Sequence, residues 1–373
     1  MRPSTALLSR RVPKANQSTE ANHDFSKNYT MKHPSIVLIF LLLSSACIDA
    51  PAQNRKATQT RVAQPIIDMH IHADTMEDFG GGELSICSGE GRLVLGAIDP
   101  KSPFDLKDLA DCEKKIKSSS SDAALKAETI AELKRHNVRR AVALGDLVTV
   151  SDWVSADPAR LIPSLNFSGR QVDAGTYRRL FGEGKFKMFG EIGAQYRGFS
   201  PADPVYAEYF KLAEELDIPV GIHMGEGPPG GVHTPLGPPT YRVKLGSPLL
   251  LEDLIVRHPK LRIYVMHYGS PLVDEMIAMM YSHPNLYVDI SCNNWAFPRK
   301  QFYDHLERMI DAGFEKRILF GSDQMAWPAT IGKAIESVEQ APFLSKSQKR
   351  DILYNNAARF LRLTKEEIAA DHR

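Results

Sequence analysis

The sequence has little cysteine, no excess of either charge and no long apolar run. Only 4 of its 373 residues are Cys, which excludes a small scaffold held together by many disulfides. Lys and Arg number 46 against 45 Asp and Glu, so the net charge is +1. This balance gives no field that would attract nucleic acid or an anionic membrane, so neither is expected as a partner. With 43% hydrophobic residues the composition is otherwise that of a globular protein.

The most apolar run, Ser35–Ala46, is uncharged but short, because a membrane-spanning helix needs about 20 apolar residues. Basic residues precede this run and the small residues Ala50–Ala52 follow it, which is the layout of a secretory signal peptide. We therefore predict that residues 1–52 are an N-terminal extension and signal. The protein is then periplasmic or secreted, without stable membrane insertion after cleavage. A lipoprotein anchored through Cys47 is the alternative.

Three cysteines lie beyond residue 52, namely Cys87, Cys112 and Cys292. An exported protein enters an oxidising compartment, where Cys87 and Cys112 of one loop-rich segment could form a disulfide. Three free buried thiols fit the sequence equally well, so both states stay open at this point.

After residue 52 the chain alternates short apolar runs with segments of helical periodicity, which is typical of parallel strands and their connecting helices. The predicted strands are Ile66–His72, Arg139–Leu144, Leu161–Asn166, Lys187–Ile192, Ile218–His223, Leu261–His267, Leu286–Ser291 and Ile318–Ser322. The predicted helices include Pro204–Leu216, Pro248–His258, Leu272–His283 and Lys300–Ala312. This alternation favours an α/β fold, a (β/α)8 TIM barrel formed by residues 53–373 as one catalytic domain.

Two loop insertions interrupt the alternation, after strands 1 and 5. Ala73–Ser121 is rich in Gly and Ser, and Glu226–Gly246 contains five Pro and five Gly. Both follow the C-terminal ends of strands, which form the active-site face of a TIM barrel, so we expect both to shape substrate access. Arg242 in the second insertion is a candidate for holding an anionic group of a substrate through its guanidinium. A solvated surface arginine is the alternative.

Six residues that can bind metal or transfer protons are predicted at the same end of the barrel. His70 and His72 are two positions apart on the first strand, so both side chains lie on one face and can chelate one cation. The others lie on or after later strands: Glu191, His223, His267 and Asp323. A single polar residue at a strand end is usually structural, but six at one level indicate a functional site.

These residues resemble the amidohydrolase superfamily, in particular its amidohydrolase-2 branch of TIM-barrel metal-dependent hydrolases and decarboxylases. The resemblance covers residues 65 to about 363. The motifs are specific for the family when taken together, although no single motif is. The motifs are Asp68–His72, the strands ending in His223 and His267, Gly321–Asp323, and the closing segment Asn355–Leu361.

The resemblance implies a divalent metal ion, often zinc, held by four side chains: His70, His72, His223 and Asp323. It implies one of two roles for His267, a catalytic acid/base in one-metal members or a second-metal ligand in two-metal members. Many two-metal members bridge their ions with a carboxylated lysine on the fourth strand, where this sequence has Glu191. A glutamate supplies similar anionic oxygens, so Glu191 is a further candidate ligand. We expect one tightly held ion and a weaker second site.

Imidazole and carboxylate ligands with an open position suit a zinc ion that activates water. His267 and Asp323 are the predicted catalytic residues, because either can take the proton from the attacking water. The expected function is that of an exported hydrolase acting on an amide, ester or lactone bond of a small molecule. The alternatives are a non-oxidative decarboxylase on the same site, a nuclease similar to the TatD-type deoxyribonucleases, and a non-catalytic barrel that binds a metal or solute.

Overall fold

The computed structural model describes residues 64–99, 101, 110–166, 172–233 and 237–373. The predicted signal segment, Cys47 and the predicted domain boundary after residue 52 lie outside these residues. The chain divides into two units, residues 1–59 and 60–373, and all described residues belong to the second. None of the helices in the described ranges is long and apolar enough to cross a membrane.

Eight strands form one parallel sheet, in which each strand pairs with the next one along the chain. They are β1 (Ile66–His72), β2 (Val138–Gly145), β3 (Leu161–Leu165), β4 (Met188–Ile192), β5 (Val220–His223), β6 (Ile263–Met266), β7 (Tyr287–Asp289) and β8 (Ile318–Leu319). Met69 N donates to Phe320 O (2.8 Å), which joins β1 to the end of β8. The side-chain amide of Gln324 also joins this segment to β1, because Oε1 accepts from His72 N and Nε2 donates to His72 O. The predicted TIM barrel is confirmed.

The helices connect successive strands and cover the sheet from outside. They are α1 (Asp122–Arg135), α2 (Leu147–Ala156), α3 (Ala174–Gly182), α4 (Ala207–Glu215), α5 (Glu252–Arg257), α6 (Val273–Ser282), α7 (Asn293–Ala296), α8 (Arg299–Asp311), α9 (Thr330–Glu339), α10 (Lys346–Arg350), α11 (Asn356–Phe360) and α12 (Lys365–Asp371). The four helices named from the sequence correspond to α4, α5, α6 and α8. Short 3₁₀ turns, Pro204–Tyr206 and Pro248–Leu251, form the first turns predicted for α4 and α5.

Apolar side chains on both faces explain why the strands read as continuous hydrophobic runs. One core cluster, with Ile67, Met69, Val142 and Met266 among its members, takes side chains from strands of the sheet. A larger cluster packs the other strand positions, such as Ile71, against the helices. This second cluster buries the apolar faces of the helices.

Four strands end earlier than the sequence predicted: β3 stops one residue short, at Leu165, and three later strands also stop short. The predictions extend to His267, Ser291 and Ser322, whereas β6, β7 and β8 end at Met266, Asp289 and Leu319. The backbone leaves the ladder at these points. The φ angles just beyond the strands are 58° for His267, 57° for Cys292 and 51° for Asp323, a left-handed conformation that strands do not adopt.

The insertion after β1 is a small sheet structure closed by a disulfide. Two antiparallel pairs form it: Ser85–Cys87 with Lys115–Lys117, and Leu93–Leu95 with Ala110–Cys112. Cys87 and Cys112 are bonded to each other, which decides between the two cysteine states that the sequence left open. Cys292 is free.

The same insertion is attached to the chain that follows β7. Gly89 N donates to Trp295 O (2.5 Å), and Gly89 O accepts from Arg299 N (3.3 Å). Glu90 pairs with Lys333 of α9 at 2.9 Å. These contacts place the insertion over the C-terminal side of the barrel, as predicted.

Candidate metal centre

Four histidines surround the carboxylate of Glu191 at the C-terminal end of the barrel. Glu191 Oε2 lies 3.8 Å from His70 Nε2 and 3.6 Å from His72 Nε2. Glu191 Oε1 lies 3.6 Å from His223 Nε2 and 3.7 Å from His267 Nε2. The structure therefore brings these five predicted residues together, and their individual roles stay predictions.

Asp323, the sixth predicted residue, completes the cluster from the segment after β8. Its Oδ1 lies 2.9 Å from His72 Nε2 and 3.7 Å from His70 Nε2. The close approach of this segment to β1 requires glycine at Gly321, since a Cβ there would lie 2.8 Å from the Cβ of His70. Asp323 N also donates to His70 O at 2.7 Å. Both contacts hold the carboxylate against the two histidines of β1.

The two ring nitrogens of His70 have different surroundings. Nδ1 lies 3.1 Å from Asp289 Oδ2 and 3.0 Å from Ser291 Oγ. Nε2 is buried and has no hydrogen-bond partner among the described residues. A buried nitrogen without a partner is rare in a folded protein. His70 Nε2 faces the carboxylates of Glu191 and Asp323, while Nδ1 is held by Asp289. A metal-ligating histidine is typically arranged in this way, with one ring nitrogen toward the metal and the other hydrogen-bonded.

The strand itself directs His70 inward. The pairing of β1 with β2 shifts register between Asp68 and Ile71, which is a β-bulge. Bulges re-aim side chains next to active sites. Met69 lies in one core cluster and Ile71 in the other, while His70 reaches Asp289 of β7 across the barrel. His72 follows on the same face as His70, as the two-residue spacing predicted.

Two of the other cluster histidines, His72 and His267, are also held through Nδ1. His72 Nδ1 lies 2.7 Å from Asp74 Oδ2, and His267 Nδ1 lies 3.2 Å from the carbonyl oxygen of Ser291. A carbonyl only accepts, so His267 Nδ1 donates its hydrogen there and Nε2 faces Glu191. These supporting groups were not predicted from the sequence. They lie at or just after the ends of β1 and β7, so their positions were a signal, but position alone does not reveal which histidine each one contacts.

The cluster contains two carboxyl groups that its histidines keep ionised. Burial raises the pKa of Asp323, but His70 and His72 outweigh it and lower that pKa to about 2. Burial also opposes ionisation of Glu191, yet His223 and the other histidines hold its pKa well below the usual value. Burial lowers the pKa of His223 to about 4, which keeps this imidazole neutral. Ionised carboxylates beside imidazole nitrogens form a donor set that suits Zn²⁺.

Three further side chains at the barrel mouth were not predicted. Tyr196, after β4, places its hydroxyl 3.0 Å from His223 Nε2. Phe79, in the first insertion, has its ring 5.9 Å from that of His72, so this insertion does line the centre. Glu226 begins the second insertion, and burial raises its pKa to about 7.

Arg242 contacts its own loop rather than the cluster in its described side-chain hydrogen bonds. The side chain is exposed, and Nη1 donates to the carbonyl oxygens of Pro239 (2.8 Å) and Tyr241 (2.6 Å). These bonds occupy part of the guanidinium. Its role toward a substrate stays a prediction.

A family model described as amidohydrolase matches residues 67–363 of the sequence. The matched range contains all six residues of the cluster. A search of curated proteins found no significant match.

Solved structures with a similar fold come from several bacteria. A probable 2-pyrone-4,6-dicarboxylic acid hydrolase from Acinetobacter baumannii is 13% identical with a TM-score of 0.52, covering 80% of this chain and 99% of its own. A 4-oxalomesaconate hydratase from Rhodopseudomonas palustris is 17% identical with a TM-score of 0.50, covering 82% and 97%. An uncharacterized TIM-barrel protein from Bordetella bronchiseptica is 16% identical with a TM-score of 0.50, covering 64% and 82%. At these identities the likeness concerns the fold alone.

Proposed function

The chain belongs to the amidohydrolase family of metal-dependent enzymes, and we propose that it is an exported hydrolase that cleaves an amide, ester or lactone bond of a small molecule. The observation that carries the proposal is the convergence of four imidazoles on Glu191 and Asp323. His70 Nε2 points into this cluster without a protein partner among the described residues. These nitrogen and oxygen donors suit zinc, with one tightly held ion and a weaker second site.

Four side chains would hold the tight ion: His70, His72, His223 and Asp323. When bound, a zinc ion activates a water molecule and polarises the bond under attack. The chain keeps its ligands oriented through Asp289 and Asp74, which bind the Nδ1 atoms of the two β1 histidines. Such supporting partners fix the ring orientation of a ligating histidine. Glu191, which faces all four histidines, is the candidate link to the weaker site.

His267 and Asp323 are the candidates for accepting the proton of the attacking water. Asp323 is ionised, because its pKa is about 2. His267 donates from Nδ1 to Ser291 O, so in the neutral ring Nε2 is the proton acceptor. This Nε2 lies in the cluster, 3.7 Å from Glu191 Oε1. His267 can therefore take a proton from water and return it to the leaving atom.

A release assay on metal-loaded protein tests the proposed reaction. Amides, esters, lactones and aromatic carboxylates would be screened for release of acid and of carbon dioxide, with chelator-treated protein and zinc-restored protein in parallel. We expect acid release from a hydrolysable substrate, lost with the chelator and restored by zinc. Carbon dioxide release instead would identify the non-oxidative decarboxylase, and turnover that survives chelation would contradict a metal-dependent reaction.

Two features support export. The apolar run Ser35–Ala46 has the length and flanks of a signal peptide rather than of a membrane span. The Cys87–Cys112 disulfide is of a kind that persists in the periplasm or outside the cell and is rare in the cytosol. A periplasmic or secreted location fits both features, and anchoring through Cys47 is the alternative form of the same export.

A further inference from the structure

Tyr196 lies at the edge of the cluster and has no role in the function proposed above. It belongs to the 3₁₀ turn Ala194–Arg197 that follows β4. Its hydroxyl lies 3.0 Å from His223 Nε2, and its ring meets the His223 ring edge-on, with centroids 4.9 Å apart. The hydroxyl is therefore aimed at the cluster by the turn that directly follows the strand carrying Glu191.

The hydrogen bond to His223 and a metal bond from His223 exclude each other. Nε2 is the His223 nitrogen that faces Glu191 Oε1, at 3.6 Å, so it is the atom that would ligate an ion. A neutral imidazole nitrogen has one lone pair, which can serve either the tyrosine O–H or a cation. Once that lone pair is taken, the Tyr196 hydroxyl loses its acceptor while still pointing into the cluster. Leaving a polar group unpaired there is unfavourable, so the hydroxyl needs another acceptor.

The ring of Tyr196 is held in place from several sides. A Cβ at Gly193 would lie 2.6 Å from its Cδ2, so glycine is required where the ring passes. The Tyr241 ring lies against it with centroids 5.5 Å apart, and Tyr241 OH is itself fixed by Gly227 N at 2.8 Å. Thr240 Oγ1 donates to the backbone oxygen of Tyr196. The hydroxyl is thus a preorganised donor, which is the property that stabilises charge developing in a transition state.

We propose that Tyr196 is a catalytic residue whose hydroxyl donates a hydrogen bond to the substrate carbonyl oxygen as water adds to the carbonyl carbon. The inference rests on the proposed function, because it takes an amide, ester or lactone carbonyl as the acceptor. The new carbon–oxygen bond sends the carbonyl π electrons onto that oxygen, and Tyr196 stabilises the negative charge while keeping its own proton. The electrons return when the carbon–nitrogen or carbon–oxygen bond breaks, and the leaving atom receives its proton from His267.

The test compares Tyr196→Phe with Tyr209→Phe. The control variant removes the hydroxyl of Tyr209 on α4, which donates to Val172 O and lies outside the cluster. Elemental analysis measures the metal, and calorimetry measures binding of methylphosphonate, a tetrahedral oxyanion, to the zinc-loaded proteins. We expect full zinc content in both variants and methylphosphonate affinity about tenfold or more weaker only in Tyr196→Phe. With a substrate from the release assay, Tyr196→Phe should lower kcat about 100-fold with a smaller change in KM.

Different results would overturn different parts of the account. Equal methylphosphonate affinity in wild type and Tyr196→Phe would remove Tyr196 from the reaction while leaving the metal site intact. Loss of zinc from Tyr196→Phe alone would make Tyr196 a ligand rather than a donor. A wild-type protein that binds no zinc would overturn the proposed function. The Tyr196 hydroxyl would then keep His223 Nε2 as its acceptor, and the argument for its catalytic role would fail. Thermal unfolding of the metal-free variants checks that both are folded.

Discussion

His267 differs from the two β1 histidines, His70 and His72, in the residue that supports it. His70 and His72 are held by carboxylates, whereas His267 Nδ1 is held by the carbonyl oxygen and hydroxyl of Ser291. A carboxylate partner makes a histidine a better metal ligand. Four ligands already come from other residues, and a fifth would close the position that water or substrate needs. His267 is therefore better suited to proton transfer than to holding the first ion.

The first prediction concerns His267→Asn. We expect this variant to keep about one bound metal ion per chain and to lose about 10²–10⁴-fold in kcat, the typical cost of removing a general acid/base. Elemental analysis and steady-state kinetics measure the two effects. Metal lost in parallel with activity would make His267 a ligand and favour the two-metal centre. Full activity would mean that the ring only packs the barrel mouth.

Glu226 is a buried carboxyl outside the metal cluster, and its ionisation should affect stability. Its Oε2 is buried and has no hydrogen-bond partner among the described residues. Burial raises its pKa from 4.5 to about 7. Between these values the folded protein holds a proton that the unfolded chain releases. The stability that this proton contributes is therefore complete below pH 4.5 and is lost as the pH rises through about 7.

The second prediction follows for Glu226→Gln, which cannot ionise. Relative to wild type, the variant should gain stability between pH 5 and pH 8, by at most about 3 kcal/mol. Urea unfolding of the metal-free proteins at the two pH values measures this gain, and the wild type at the same pH is the control. A difference between variant and wild type that is the same at pH 5 and pH 8 would show that Glu226 does not carry this ionisation.

At the level of elements, all eight strands were predictable from the sequence, but the ends of several were not. β1 coincides with its predicted range because its apolar run and its buried length are the same. β6, β7 and β8 stop short of their predicted ends, and beyond them the backbone takes a positive φ at His267, Cys292 and Asp323. Such positive φ values depend on contacts between strands that are distant in sequence. Local periodicity carries no information about them.

The structure of the insertion after β1 could not be predicted from local periodicity either. Its strands are only three residues long and only one of their residues is buried, so no alternation marked them. The composition of the segment, rich in Gly and Ser, predicted only an insertion. The disulfide and the two bonds of Gly89 to the chain after β7 are what give it structure. The sequence could name the cysteines but could not choose between paired and free thiols.

The third prediction concerns the Cys87→Ser/Cys112→Ser double variant. The bridged residues are separated by 25 positions, so loss of the bridge should cost about 3 kcal/mol through the freedom that the unfolded chain regains. Urea unfolding measures the loss. Cys292→Ser, which removes the free thiol, is the control for loss of a cysteine as such. Unchanged stability of the double variant would mean that the bridge does not constrain the unfolded chain.

For the whole molecule, the barrel was predictable because eight strand–helix repeats admit few topologies. The barrel also places strand ends together, so His223 and Asp323, far apart in sequence, could be assigned to one site before any distance was known. The supporting residues Asp289 and Ser291 were not assigned, since a strand-end polar residue alone does not reveal its partner. The role of Arg242 stays a prediction, because loop composition does not fix where a long side chain points.

The fourth prediction concerns export. Protein recovered from the native host should lack residues up to about Ala52, because the short apolar run before it acts as a signal. Mass spectrometry of the N-terminus, on periplasmic and cytoplasmic fractions, measures this directly. A lipid-modified Cys47 at the new N-terminus would identify the lipoprotein form. An intact N-terminus on cytoplasmic protein would contradict export.

The central claim is that the barrel mouth is a metal centre built on the β1 histidines, and elemental analysis of the purified protein tests it most directly. The comparison is between wild type and the His70→Ala/His72→Ala double variant, with His305→Ala on α8 as a control for loss of a histidine outside the cluster. We predict at least one divalent ion per chain, zinc by preference, in wild type and control, and almost none in the double variant. A double variant as rich in metal as wild type would contradict the account.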